Sequence, residues 1–179
     1  METKSGWPIA LKYALILAFA TIAINLIFYL INPQSVNGTW NATGIIQLAI
    51  SIIVSIYILF MSAKTRRDQD LEGNISYGKA LGFMLQTALP AALIISFYTY
   101  LFFTYINPEM LVKIMETQAD AFAKAGKSDE EIEQALKAAK LFTNPTAMTV
   151  FGAMGTMLQM LVFGLIAAIF VKKEPQIFE

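Results

Sequence analysis

The sequence predicts an all-α, polytopic membrane protein with four transmembrane helices and an extracytoplasmic αα-hairpin between the third and fourth. Four apolar stretches lie near residues 9–31, 44–62, 80–106 and 146–171. The chain has 13 acidic and 13 basic residues, and all of them except Lys12, which lies at the start of the first stretch, fall outside these stretches. About 20 apolar residues cross a bilayer as one helix, so each stretch is long enough to span it. We expect one membrane domain over 1–179, with 107–144 as a helical insertion.

The first apolar stretch is expected to be an uncleaved span. A signal peptide has an apolar region of roughly 7–15 residues. This stretch runs from Ile9 to Ile31 before Asn32-Pro33 breaks it. It therefore resembles a span more than a leader.

The distribution of Lys and Arg predicts the orientation of the spans. Basic residues gather in the N-terminal tail, the second loop and the C-terminal tail, which an even number of spans places on one side. The first loop is uncharged, and the third loop is net acidic. By the positive-inside rule both termini face the cytoplasm.

The third span contains Pro90, which cannot donate a backbone hydrogen bond to the carbonyl of Gln86. A kink is therefore predicted. Prolines are tolerated in membrane helices when neighbours compensate, so a structural kink is the first interpretation. A hinge formed by Gln86 and Pro90 is the second.

The third loop carries start and stop signals for two helices. Asn107-Pro108-Glu109 supplies an N-cap, a proline and an acid for the first helix, and Gly126 ends it. Ser128 and Glu131 have the spacing of a capping box, which starts a second helix running to about Phe142. Asn144-Pro145 then opens the last span. The expected product is an αα-hairpin.

Apolar residues at helical spacing line both predicted hairpin helices. Met115 and Phe122 belong to the first stripe and Leu136 to the second. The two stripes could simply cover each other and the membrane surface. Alternatively, Met115, Phe122 and Leu136 remain available to a partner, since connections this long are more often functional.

The span interiors hold amides and small residues but no Asp, Glu, His, Lys or Arg. Asn25, Gln47, Gln86 and Gln159 place one carboxamide in or near each span, where such groups hydrogen-bond neighbouring helices. Small residues are expected to mark helix contacts: Ala10, Ala14, Ala18, Ser51, Ser55, Gly78, Gly82, Gly152, Thr156, Gly164 and Ala168. Proton coupling needs ionisable groups at membrane depth, so it is not expected.

Composition excludes several other functions. The chain has no Cys and no His, which removes thiol catalysis, haem ligation through His and the usual zinc sites. No metal site, cofactor or catalytic residue is predicted. A net charge of zero argues against a nucleic-acid partner.

The chain resembles an uncharacterised family of bacterial four-span inner-membrane proteins. The resemblance rests on the run Gly73-Asn74-Ile75-Ser76-Tyr77-Gly78-Lys79-Ala80-Leu81, the two helix starts of the third loop, and Asn144-Pro145 before a Gly-rich last span. It covers nearly the whole length. It implies the same fold and a bacterial inner membrane, and it brings no activity.

Two functions follow. The first is a non-enzymatic accessory or scaffold protein that binds another membrane protein, or a second copy of itself, through its bundle face or outer hairpin. The second is a small flippase or transporter of a lipid-linked substrate, with Arg66, Arg67 and Lys79 holding a lipid phosphate. The positive-inside rule alone also explains this basic cluster, so the accessory function ranks first.

Overall fold

The computed structural model describes residues 5–31 and 42–173. These residues form six α-helices and no β-strand: α1 (Trp7–Ile31), α2 (Ala42–Asp70), α3 (Tyr77–Leu101), α4 (Glu109–Lys124), α5 (Asp129–Phe142) and α6 (Pro145–Val171). A π-helical turn, Phe102–Ile106, continues α3. Within the described chain α1, α2, α6 and α3 with its π turn are long and apolar enough to cross a membrane. The predicted all-α class with four spans is confirmed.

Three of the spanning helices follow the predicted stretches closely, but α2 is longer. It continues past residue 62 to Asp70, so Lys64, Arg66 and Arg67 lie on its last turns. The expected loop over 63–79 is reduced to residues 71–76. Arg66 forms an ion pair with Asp70 one turn later, a spacing that supports continued helix. The break predicted at Asn32-Pro33 lies outside the described residues.

The junction after α3 differs from the sequence prediction. The chain remains α-helical through Pro90. The N–H of Asn107 donates to the carbonyl of Phe102 at 2.8 Å, which closes the π turn. The residue preceding α4 is Pro108, and no side chain caps this helix. The predicted Asn107 cap is therefore wrong: Asn107 closes the preceding helix, and its side chain does not cap α4.

The other two helix starts are confirmed. The Ser128 side chain accepts from the N–H of Glu131, while the Glu131 carboxylate accepts from the N–H of Ser128 at 3.0 Å. Asn144 accepts from the N–H of Ala147 at 2.9 Å, and Pro145 follows it as the first residue of α6. Gly126 ends α4 with a φ of +78°, a conformation that favours glycine.

The four spanning helices form one bundle, in which α3 packs against α1, α2 and α6 while α2 packs against α1 and α6. One end, called here the basic end, contains the start of α1, the end of α2, the start of α3 and the end of α6. The other end leads to α4 and α5.

Most of the core lies towards the basic end. Among the described residues, α1 has no buried residue after Ala18, α2 has none before Ser55, and α6 has none before Met160. A smaller cluster at the other end comprises Phe102, Phe103 and Met110. The bundle is therefore packed tightly at one end and more loosely at the other.

Small residues mark only some of the contacts that the sequence predicts. Ala10, Ala14 and Ala18 are buried. Gly164 is buried too, and a Cβ added there would lie 3.1 Å from Cδ1 of Leu81. Three glycines mark no contact within the described chain, since a Cβ at any of them would meet nothing within 4 Å: Gly78, Gly82 and Gly152. Spacing shows that small side chains share one face of a helix, but not that another helix packs against that face.

Candidate functional site

The α4–α5 segment, residues 109–142, is attached to the bundle mainly at its two ends. Met110, in the first turn of α4, is buried against Phe102 and Phe103. At the other end the rings of Phe142 and Phe151 lie 5.4 Å apart, which joins the end of α5 to α6. Between these points α4 and α5 contact each other. The segment therefore gains little of its order from the membrane-spanning core.

The predicted partner-binding residues are only partly covered by the rest of the chain. Met115, Phe122 and Leu136 are all half-buried, and α5 contains no buried residue at all. Val112 is 56% exposed and Leu141 is 71% exposed. The segment thus covers its apolar side chains only in part. This arrangement suits both interpretations of the sequence, a self-contained cap and a docking surface.

Electrostatics order the turn between α4 and α5. The backbone N–H of Ser128 and the ammonium of Lys127 both donate to the Glu131 carboxylate, each at 3.0 Å. The backbone hydrogen bond, followed by the lysine, lowers the pKa of Glu131 from its ordinary value. The charged carboxylate thereby stabilises the start of α5, at neutral pH, without any contact from the bundle.

The predicted lipid-phosphate residues lie together at the basic end, but their surroundings differ. Arg66 is paired with Asp70, and its guanidinium lies 5.9 Å from the ring centre of Phe83. Arg67 is 2.7 Å from the carboxylate of Asp68. Lys79 is exposed on the first turn of α3, and no ion pair to it is found among the described residues.

Arg67 also holds the basic end together. Its Nη1 donates to the carbonyl of Val171 at 3.0 Å, which satisfies an acceptor that the end of α6 leaves open. Beside it, Ile75 and Lys173 pair as an antiparallel bridge through backbone hydrogen bonds of 2.8 and 2.9 Å. Arg67 and the 71–76 connection therefore fasten α6 to α2 and α3.

The intramembrane amides do not form one site. Asn25 accepts a hydrogen bond from the Tyr98 hydroxyl at 2.8 Å, which links α1 to α3 as expected of an amide that bonds a neighbouring helix. Gln47, Gln86 and Gln159 make no hydrogen bond with any described residue, so they do not join helices within this part of the chain. The sequence does not predict that Tyr98 bonds Asn25, because spacing along one helix does not reveal a partner on another.

The candidate hinge residues, Gln86 and Pro90, both lie in α3, and Gln86 makes no hydrogen bond to another helix in the described chain. Gln86 lies one turn before Pro90, as predicted, and both side chains are half-buried in α3. No group of three or more His, Cys, Asp or Glu side chains able to hold a metal ion is present in residues 5–31 and 42–173.

Comparison with known proteins places the chain in a family. A family model described as "Protein of unknown function (DUF4199)" matches residues 12–173. No curated protein and no solved structure matches the chain.

Proposed function

Because the chain belongs to the DUF4199 family of proteins of unknown function, we propose from its own residues that it is a non-enzymatic accessory or scaffold subunit of the membrane. In this proposal it binds another membrane protein through the α4–α5 segment, with a face of the bundle as a further contact surface. The membrane is taken to be a bacterial inner membrane, with α4 and α5 on its extracytoplasmic side.

The observation that carries the proposal is the incomplete burial of the α4–α5 segment. α4 ends at Gly126, α5 begins at its own capping box, and α5 has no buried residue. A direct connection between α3 and α6 would need only a few residues, and longer connections are more often functional. An ordered segment that the bundle does not need, with half-buried Phe122 and Leu136, has the features of a docking surface.

The span interiors support a role without chemistry. Proton relays and ion-coupled transport depend on ionisable groups at membrane depth. Between Tyr13 and Lys64, and between Ala80 and Pro108, the sequence has no charged residue. The flippase alternative has less support, because Asp70 and Asp68 already pair with two of its three proposed cations.

The proposal is tested by changing Phe122 and Leu136 to Asp together. We expect co-purifying protein to be released, while the four-span bundle stays monodisperse in mild detergent. The matched control is Thr117→Asp with Gln134→Asp, which adds the same charge at two exposed positions of the same helices. If the first pair leaves every associated protein in place, or collapses the bundle, α4 and α5 form a cap and the proposal fails.

The orientation is tested separately with single cysteines at Ser5, Ser76 and Ser128, because the chain has no native Cys. We expect an impermeant thiol reagent added to intact cells to label the Ser128 site alone. Labelling at Ser76 without labelling at Ser128 contradicts the proposed orientation.

A further inference from the structure

Gln159 lies at the middle of the fourth span with its carboxamide directed away from the bundle. It is 14 residues from the start of α6 at Pro145 and 12 from the end at Val171. Its side chain is exposed, and it makes no hydrogen bond with any residue in the described ranges. In hydrocarbon a carboxamide without a partner is unfavourable, since no water replaces the missing hydrogen bonds. The position therefore calls for a partner from outside the chain.

The helix face around Gln159 allows another helix to approach closely. Gly152, Gly155 and Gln159 follow at intervals of three and four, so they share one face of α6. A Cβ added at either glycine would meet nothing within 4 Å. Leu158 and Val162 border this face and are 64% and 48% exposed. Small residues beside a polar one are typical of helix interfaces in membranes.

We propose that two copies of this chain associate through this face of α6, with the two Gln159 carboxamides hydrogen-bonded to each other. Lipid cannot supply the missing partner, because headgroups lie at the membrane surface and Gln159 lies near mid-depth. A second copy supplies it directly. Two copies inserted in the same orientation hold Gln159 at the same depth, and a carboxamide is both donor and acceptor. A two-fold axis along the membrane normal then brings like residues together.

The Gln159 face and the α4–α5 segment share no residue, so this proposal and the proposed function can fail separately. The test uses the purified full-length protein in liposomes over a series of lipid-to-protein ratios. The dimer fraction is measured by single-molecule photobleaching of labelled protein. We expect a dimer whose dissociation constant rises roughly three- to tenfold in Gln159→Leu, which is the effect of one intramembrane hydrogen bond. Gln86→Leu is the matched control and should leave the constant unchanged.

Geometry is tested by disulfide formation between single cysteines, again without background from native thiols. Val162→Cys should cross-link rapidly, because Val162 borders the proposed interface. Phe19→Cys should cross-link only by random collision, since Phe19 is 65% exposed on α1, a helix that packs on α2 and α3.

Several outcomes overturn the proposal. The first is a monomer at every lipid-to-protein ratio, and the second is a dimer whose dissociation constant does not change in Gln159→Leu. The third is equal cross-linking of the two single-cysteine variants. The fourth is a monomer that binds a different protein through this face and loses it in Gln159→Leu.

Discussion

The hydrogen bond between Tyr98 and Asn25 should contribute measurably to the stability of the bundle. It joins α3 to α1 at 2.8 Å in a part-buried position. Hydrogen bonds between membrane helices contribute about 0.6 kcal/mol on average and up to about 1.7 kcal/mol. Tyr98→Phe removes the hydroxyl and keeps the ring packed on Phe102, so the loss comes from the bond and from the unsatisfied Asn25. We expect the free energy of unfolding to fall by about 1 kcal/mol.

A double-mutant cycle with Asn25→Leu separates the bond from its surroundings. Unfolding is followed by circular dichroism in mixed micelles of increasing SDS content. The coupling energy should be about 0.5–1.5 kcal/mol. Tyr57→Phe is the control, because Tyr57 is 61% exposed on α2 and makes no hydrogen bond with any described residue. A coupling near zero, or equal losses for Tyr98→Phe and Tyr57→Phe, would refute the assignment.

Two further predictions test the packing of α6 and the turn before α5. Gly164→Val should lower the free energy of unfolding by about 1–3 kcal/mol in the same assay, because even a Cβ there would lie 3.1 Å from Leu81. Gly82→Val is the control: a Cβ at Gly82 meets nothing within 4 Å, so this change should alter stability only through the helix propensity of valine. The lowered pKa of Glu131 means that its contribution to α5 is complete above the ordinary glutamate pKa and is lost as the pH falls through the folded-state value. The rate of amide hydrogen exchange over residues 128–135, corrected for intrinsic rates, should therefore rise in acid. Glu131→Gln should raise the exchange rate at neutral pH and reduce its dependence on pH. Equal profiles for both proteins would contradict the capping role.

The sequence predicts the membrane helices well because both length and composition are imposed by the bilayer. All four spans were located from apolar stretches, and α6 begins at the predicted Asn144-Pro145. Local capping was equally readable at Ser128, where the side chains and the backbone they satisfy are three residues apart. At Asn107 the same reasoning fails, because α3 continues through a π turn to Ile106, Pro108 directly precedes α4, and no side chain caps that helix.

Contacts between helices were harder to predict, because lipid is as apolar as the core. Ala14 is buried and Gly82 is exposed, although both belong to small-residue repeats of the same spacing. In the same way Asn25 finds a hydroxyl on a neighbouring helix while Gln159 does not find one within the described chain. Hydropathy cannot distinguish these cases, since it assigns each residue one value whichever side of the helix it occupies.

Loose packing at the α4–α5 end connects the two proposed surfaces. Towards the basic end, buried residues on all four spanning helices and the Arg67–Val171 hydrogen bond hold the bundle together. Towards the other end, the early parts of α2 and α6 contain no buried residue. Gln159 lies just before the first buried residue of α6, Met160, where this change occurs. A partner that contacts α4 and α5, or a second copy that contacts α6, would therefore add packing where the single chain has least of it.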